Sequence, residues 1–279
     1  MRKGGSQLAH HGRKSARRLF AFALASLTFA SVASAQKFTR PAPTPADWAA
    51  LAKLPDFTGV WEVPMGGPAR SSSSSSTPRV TGFPPRPQLS LTPEWAAKVK
   101  DLEANAPQDT GSANCLPPGM PGIMGEPYPM EFLLTPGQVT IVIEAFSMVR
   151  HIYTDGRPMP ADPDPSFFGT SIGHWEGDIL VVDSEGFSPL TTIEMMTPHS
   201  DKMKILERFH LLDANTMNIE TTVIDPVALT QPFVSNRILK RHRSWTIEEY
   251  ICEEDNQNFV DSSGKAGIKL TPPPEPASK

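Results

Sequence analysis

The sequence predicts a mainly β fold, an antiparallel up-and-down barrel or a sandwich, with two short helices near the N-terminus. After residue 138 the chain alternates between short segments rich in Val, Ile, Phe, Tyr and Thr and shorter segments of turn residues. All 30 prolines lie after residue 35, at a density that excludes long helices. Hydrophobic residues make up 39% of the 279 residues, which is enough for one sizeable core.

Matching start signals predict the two helices. Thr44-Pro45 and Thr92-Pro93 each place a threonine at the N-cap, where its oxygen accepts a hydrogen bond from an unpaired backbone N–H. The proline that follows occupies the first helical position, where a missing donor costs nothing. Between the helices, aromatic and β-branched residues predict a strand over residues 56–63. The serine run and prolines after it have too little apolar content to pack and predict a mobile loop.

Eight further strands are predicted in the second half of the chain, over residues 139–146, 148–154, 171–175, 179–185, 204–212, 217–224, 233–240 and 245–251. The proline-rich segments 116–121 and 126–132 before them are predicted to be extended. Gly177-Asp178 predicts a tight hairpin, because positive φ is favourable for Gly and tolerable for Asp. Residues 156–168 are long for a hairpin loop and form a candidate lid over a pocket.

Residues 1–35 have the pattern of a secretory signal peptide. They hold six basic residues and no acidic ones, followed by an apolar run and the small-x-small sequence Ala33-Ser34-Ala35. We expect cleavage after Ala35 and a periplasmic location. The apolar run is shorter than the ~20 residues that a bilayer requires, so stable membrane insertion is not expected. Arg17-Arg18 resembles the twin-arginine signal, and both that route and the Sec route stay open.

The rest of the chain is acidic. Its 244 residues carry 20 basic and 30 acidic residues, a net charge of -10, which excludes a nucleic-acid partner because a phosphate-reading surface needs a basic excess. We predict an N-terminal extension over residues 36–110, an antiparallel β domain over 111–262 and a disordered tail over 263–279. The oligomeric state is left open.

The two cysteines, Cys115 and Cys252, both lie in the exported part of the chain. In an oxidising compartment such a pair predicts a disulfide, which here would close a loop of more than a hundred residues. Free thiols are the alternative. Neither cysteine has a metal-ligand partner at a recognised spacing, so a metal site is disfavoured.

Two resemblances rest on short motifs. The tripeptide Gly59-Val60-Trp61, with the predicted strand meander and its Trp-Glu-Gly-Asp hairpin, resembles the calycin-type barrels that include the lipocalins. Most of residues 115–255 resembles a family of exported proteins of Gram-negative bacteria, most of them uncharacterised. The motifs of that second resemblance include CLPPGMP at 115–121, PYPMEF at 127–132 and SIGHWEGD at 171–178. This resemblance implies export and implies no particular reaction.

The motifs of several enzyme classes are missing from the sequence. It has no GxGxxG before a helix, no GxxxxGK followed by Ser or Thr, no GxSxG and no HExxH. We therefore predict no cofactor. The acidic clusters at 162–164 and 253–255 fit solvated surface better than a calcium site, so no metal is predicted either.

His174 is the first candidate catalytic residue. In a strand its side chain points opposite to that of Trp175. If Trp175 packs outward, the imidazole faces the barrel interior, where it can act as a general acid or base. The alternative is a histidine that is hydrogen-bonded to a neighbouring strand.

Glu144 and Arg150 lie on consecutive predicted strands that are otherwise apolar. The strand predicted over residues 139–146 places the Glu144 carboxylate on an apolar face, where it is either buried and paired or exposed on a one-sided sheet. Arg150, Tyr153 and His174 are its nearest predicted partners. A structural ion pair and a functional acid lining a pocket are both open interpretations.

These polar residues within apolar strands form the predicted site. The catalytic candidates are His174, Glu144, Arg150 and Tyr153, and the substrate-binding candidates are Tyr128, Glu131, Glu207 and Trp175. Such a set favours a cofactor-independent lyase, isomerase or hydrolase that acts on a small apolar or aromatic molecule by proton transfer. The alternative is a non-catalytic carrier or sensor of the lipocalin type. A third interpretation is a barrel filled by its own core, with a surface or assembly role.

Overall fold

A computed structural model describes residues 41–64, 88–105, 115–194, 197–252, 258–260, 262 and 266–268. The predicted signal peptide and most of the serine- and proline-rich loop lie outside the described residues, as does most of the predicted disordered tail. Within that tail, residues 266–268 form a short strand.

The described chain is mainly β. Its two α-helices are α1 (Pro45–Ala50) and α2 (Pro93–Asn105). Its strands are β1 (Gly59–Glu62), β2 (Met130–Thr135), β3 (Gln138–Ile143), β4 (Met148–Tyr153), β5 (Thr170–Glu176), β6 (Ile179–Glu185), β7 (Thr192–Glu194), β8 (Thr197–Pro198), β9 (Lys204–Asp213), β10 (Thr216–Ile224), β11 (Phe233–His242), β12 (Asn258–Val260) and β13 (Ala266–Ile268). Three 3-10 turns cover Leu51–Lys53, Gly122–Gly125 and Ala145–Ser147.

Nine of these strands close into a barrel, which confirms the predicted barrel fold. Their order around the barrel is β1, β11, β10, β9, β6, β5, β4, β3 and β2. Closure depends on β1, which pairs antiparallel with both β2 and β11. The strands β7 and β8 form a separate two-stranded sheet, as do β12 and β13.

One neighbouring pair in the barrel is parallel. Strands β4 and β5 pair through Ile152 with Ser171 and Tyr153 with Ile172. Parallel neighbours need a crossover connection, because the chain must return to the end of the sheet from which the first strand started. This requirement explains why residues 156–168 are longer than a hairpin loop. Part of this segment, residues 161–165, lines a cavity of about 560 Å³ on the outside of the barrel.

The predicted strands are partly displaced in the structure. β3 ends at Ile143, because Glu144 takes helical backbone angles and Phe146 has a positive φ of 59°. The strand predicted over 245–251 is absent, and Trp245 instead stacks on His242 with ring centroids 3.7 Å apart. Residues 130–135 form β2, although the proline-rich sequence before them predicted only an extended segment.

The barrel is closed on a packed aromatic core at β1. The Trp61 ring is fully buried and its indole N–H donates to the Phe57 carbonyl oxygen at 2.9 Å. The Arg241 guanidinium lies 4.4 Å from the centroid of the Trp61 ring and donates to the Asp56 carboxylate at 2.9 Å. The Arg241 cation lies over the Trp61 ring and is held by the Asp56 carboxylate. These two contacts fix the short β1 against β11.

Both helix starts follow their sequence signals. At α1 the Thr44 hydroxyl accepts from the Asp47 N–H and the Asp47 carboxylate accepts from the Thr44 N–H, forming a capping box. At α2 the Thr92 hydroxyl accepts from the Trp95 N–H at 3.4 Å. The buried Trp95 indole donates to the Pro198 carbonyl at 2.7 Å, which ties α2 to β8.

The predicted pairing of Cys115 with Cys252 is confirmed, with the Cα atoms 5.7 Å apart. The bond ties the start of the segment before β2 to the end of the segment after β11. None of the helices in the described part of the chain combines the length and the apolar character needed to cross a membrane.

Candidate functional site

A charged pair lies at the centre of the barrel, where most side chains are apolar. Arg150 on β4 and Glu207 on β9 are both fully buried. Arg150 Nη1 donates to Glu207 Oε1 at 3.1 Å, and Nη2 donates to Oε2. The same Nη2 lies 3.2 Å from the hydroxyls of Ser171 and Ser184. The structure therefore brings together Arg150, which was predicted to be catalytic, and Glu207, which was predicted to bind substrate.

Strand alternation explains this placement. On β4, Arg150 and Ile152 face inward between exposed neighbours, and on β9 Glu207 lies between the inward Ile205 and Phe209. Ser171 on β5 supplies a small polar side chain on the path between the two charges. Small residues at these positions leave room for the long Arg150 side chain to reach β9.

A second arginine faces the interior from β11, which is separated from β9 by β10. Arg237 on β11 is partly buried, and its Nη1 is a buried atom without a hydrogen-bond partner among the described residues. Burial lowers the pKa of the Arg237 guanidinium, while the charges of Glu207 and Glu194 act to raise it. An arginine nevertheless stays cationic at neutral pH, so a positive charge persists at this position.

Arg237 lines a cavity of about 580 Å³ at the side of the barrel. The short β1 pairs with β11 only from Lys240 to His242, so the preceding part of β11 has no described strand on that side. The Gly122–Gly125 turn lies there instead, and the guanidinium packs against Gly125. A Cβ added to Gly125 would come within 2.6 Å of Arg237 Nε, so a larger residue there would displace the guanidinium.

We call this cavity the Arg237 pocket. Its lining combines apolar, small and charged residues, namely Pro118, Pro121, Gly122, Gly125, Glu126, Thr192, Ile193, Glu194, Phe233, Ser235, Asn236 and Arg237. Burial raises the pKa of the Glu126 carboxyl. The pocket therefore offers a cation that has no direct partner among the described residues, a carboxyl whose pKa is raised, and apolar walls.

His174 lies on the outside of the barrel. Trp175 faces inward and packs against Phe57 with ring centroids 5.2 Å apart, so the preceding histidine must face outward. The His174 side chain is 58% exposed and its Nε2 lies 3.3 Å from the Glu176 carboxylate. This is the reverse of the arrangement that would place the imidazole in the interior. The side chains of His174 and Trp175 do point to opposite faces of the strand, but the sequence alone does not show which face turns inward.

Glu144 also lies away from the charged pair. Because β3 ends before it, the carboxylate projects from a 3-10 turn and accepts from the Glu248 backbone N–H at 2.9 Å. It therefore pairs with main chain from the segment after β11. Arg150, its predicted partner, binds Glu207 instead.

The other predicted residues are spread over the barrel surface. Tyr153 on β4 is partly exposed, with the Arg157 guanidinium 3.8 Å from its ring centroid. Tyr128 packs edge-to-face on Tyr250 with centroids 5.4 Å apart. Glu131 is partly exposed on the face of β2 opposite to the buried Met130 and Phe132.

The residues that the sequence prediction missed are Arg237 and Glu126. Arg237 stands on β11 at an alternate position with the inward Phe233 and Leu239, so the reasoning that selected Arg150 could also have found it. Glu126 gives no such signal, because it lies in an irregular segment where its burial depends on tertiary packing.

Comparison of the chain with protein-family models, with curated proteins and with solved structures found no match. The site must therefore be interpreted from its own geometry. Among the described residues, no three side chains of the types that bind metals are grouped together.

The burial of the Arg150–Glu207 pair predicts that breaking it costs much more stability than breaking an ion pair at the surface. We expect Glu207→Gln to lower the free energy of unfolding by about 3 kcal/mol or more, because it leaves the Arg150 charge buried and uncompensated. The control is Glu185→Gln, which breaks the exposed Glu185–Lys204 pair on neighbouring strands and should cost about 1 kcal/mol or less. Urea unfolding measures both changes, and equal losses would contradict the account of the pair.

The raised pKa of Glu126 predicts that Glu126→Gln stabilises the folded protein by an amount that depends on pH. The stability contributed by a carboxyl with a raised folded pKa is present below its ordinary pKa and is lost as the pH rises through the folded value. Glutamine stays neutral, so at about pH 4 the variant should melt at the same temperature as wild type. At about pH 7 the variant should melt at a higher temperature than wild type.

Glu176→Gln is the control of opposite sign. Hydrogen bonds from Arg208 and His174 lower the pKa of the exposed Glu176 carboxyl. Its replacement should therefore lower the melting temperature at neutral pH and have less effect in acid. If the difference in melting temperature between wild type and Glu126→Gln is the same at every pH in this range, Glu126 is not held in a desolvating site.

Proposed function

We propose that this protein is an exported, periplasmic binding protein for a small molecule with an apolar or aromatic body, held in the Arg237 pocket. The observation that carries the proposal is the pocket itself. Its volume of about 580 Å³ lies within the usual range for small-molecule sites. Its lining, with apolar walls around a few polar groups, is also the usual one.

The side chains packed in the barrel interior favour the side pocket as the binding site. The rings of Phe132 and Phe209 lie 6.2 Å apart in the interior, and the buried Arg150–Glu207 pair fills the space beside the apolar core. A lipocalin-type carrier would instead need an open apolar interior. We therefore assign the ligand to the part of β11 that no described strand covers on the side of β1.

The proposed export is supported by two features. The leader has a basic stretch, an apolar run and a small-residue cleavage sequence, which is the pattern of exported proteins. The Cys115–Cys252 pair is at bonding distance, as expected for a protein that folds in an oxidising compartment.

Acid–base catalysis is the second candidate function, and Glu126 favours it. A carboxyl whose pKa is raised by burial can exchange a proton nearer to neutral pH than an exposed one. In the same pocket the Arg237 cation would stabilise developing negative charge on a substrate. Proton transfer of this kind fits a lyase, isomerase or hydrolase without a cofactor. The residues in the catalytic roles would then be Glu126 and Arg237, in place of His174 and Glu144.

The binding proposal is tested with N-phenyl-1-naphthylamine, a neutral aromatic dye that fluoresces in apolar surroundings. We expect saturable binding to wild type and a loss of affinity of about tenfold or more in Ser235→Trp, because the inward Ser235 lines the pocket and the indole would fill it. Val234→Trp is the matched control, since Val234 is 43% exposed on the outer face of the same strand and should leave the affinity unchanged.

Thermal melting shows whether each variant is folded, and Ser235→Leu gives a smaller filling change should the tryptophan not be accommodated. Equal dye binding by wild type and both Ser235 variants would place the dye elsewhere and contradict the proposal. The absence of saturable binding to folded wild type would do the same.

A further inference from the structure

We propose that the ligand of the Arg237 pocket is an organic acid whose carboxylate pairs with the Arg237 guanidinium. This inference rests on the proposed binding function and names the chemical class of the ligand. Its starting point is an arginine beside the cavity whose hydrogen bonding the described residues do not complete.

The first step concerns the hydrogen bonds of Arg237. Its Nη1 atom is buried and has no acceptor among the described residues. A buried donor of a charged group without a partner is costly, since it has lost water and gained nothing in exchange. Arg237 lines the adjacent pocket, so an anion bound there would supply the missing acceptor once the guanidinium turns Nη1 toward it.

The second step concerns the nearest carboxylates. Glu207 acts on Arg237 through its charge, but both of its oxygens accept hydrogen bonds from Arg150. Glu194 also acts on Arg237 through its charge, and no hydrogen bond joins the two. Among the described residues, no carboxylate therefore forms a hydrogen bond or an ion pair with Arg237, although Glu194 and Glu126 line the same cavity.

The third step concerns shape. Because Gly125 has no side chain, the Arg237 guanidinium can pack closely against it. A guanidinium held in this way can present two N–H groups to the two oxygens of one carboxylate. Phe233 and Ile193 in the same cavity provide apolar surface for the body of the acid.

The test compares 1-naphthoate with 1-naphthamide, two probes of nearly the same shape that differ in charge. Isothermal titration of wild type should show that naphthoate binds about tenfold or more tightly than the amide. Arg237→Met should abolish that preference by weakening naphthoate about tenfold, with the amide changed by no more than about twofold. Arg237→Lys should keep part of the preference, since the charge remains but the fork geometry is lost.

Two further variants complete the design. Arg208→Met is the control, because Arg208 lies on the outer face of β9 in an exposed pair with Glu176, and its loss should leave both affinities unchanged. Glu194→Gln removes a negative charge near Arg237 without removing the arginine, so naphthoate should bind about threefold or more tightly to it. This variant keeps the test valid even if Arg237→Met is unstable.

The outcomes separate this inference from the proposed function. If wild type binds N-phenyl-1-naphthylamine in a Ser235-dependent manner but shows no preference for naphthoate, the acid assignment is wrong and the binding function stands. If Arg237→Met weakens both naphthyl probes equally, the arginine is structural and the inference is also overturned. If folded wild type binds none of the three probes, the proposed function itself fails.

Discussion

The ion pair between Arg150 and Glu207 is the interaction on which the interior of the barrel depends. Two full charges have been removed from water there, and only their mutual hydrogen bonds and the hydroxyls of Ser171 and Ser184 compensate them. Both oxygens of Glu207 accept hydrogen bonds from Arg150, and no hydrogen bond joins Glu207 to Arg237 among the described residues. Arg237 has no hydrogen-bonded carboxylate among the described residues, which links the packing of the barrel to its proposed ligand.

The way the barrel closes determines where Arg237 can be reached. Trp61, Arg241 and Asp56 hold β1 in place through an indole, a guanidinium and a carboxylate. Because β1 is only four residues long, it covers one end of β11 and leaves the other end to the Gly122–Gly125 turn. A longer β1 would complete the barrel wall and would cover the pocket. Among the described residues, the short closing strand thus accounts for the cavity beside the partly buried Arg237.

Much of the fold could be predicted from the sequence, and the reasons are local. Strand β6 begins and ends at the residues that its β-branched run indicates, and Gly177 takes the positive φ of 63° that its hairpin requires. The helix caps at Thr44 and Thr92 likewise follow from neighbouring residues. Such signals act within a few residues, so they survive in any tertiary arrangement that is compatible with the chain.

The candidate site was less predictable, since it depends on which face of each strand turns inward. For β5 the alternation was right, but only the packing of Trp175 on Phe57 decides that His174 faces solvent. The link from Arg150 to Glu207 spans 57 residues of sequence and needs the strand order, which includes the parallel pair β4 and β5. The burial of Glu126 likewise comes from its surroundings in the folded chain.

The central claim is that Arg237 completes its hydrogen bonding with an external acid. The most direct measurement is a crystal structure of the full chain grown with 1-naphthoate. The account predicts a carboxylate oxygen of the probe within about 3 Å of Arg237 Nη1, with the naphthyl ring against Phe233. Arg237 bonded directly to Glu194, with the probe bound at another place or not at all, would contradict it.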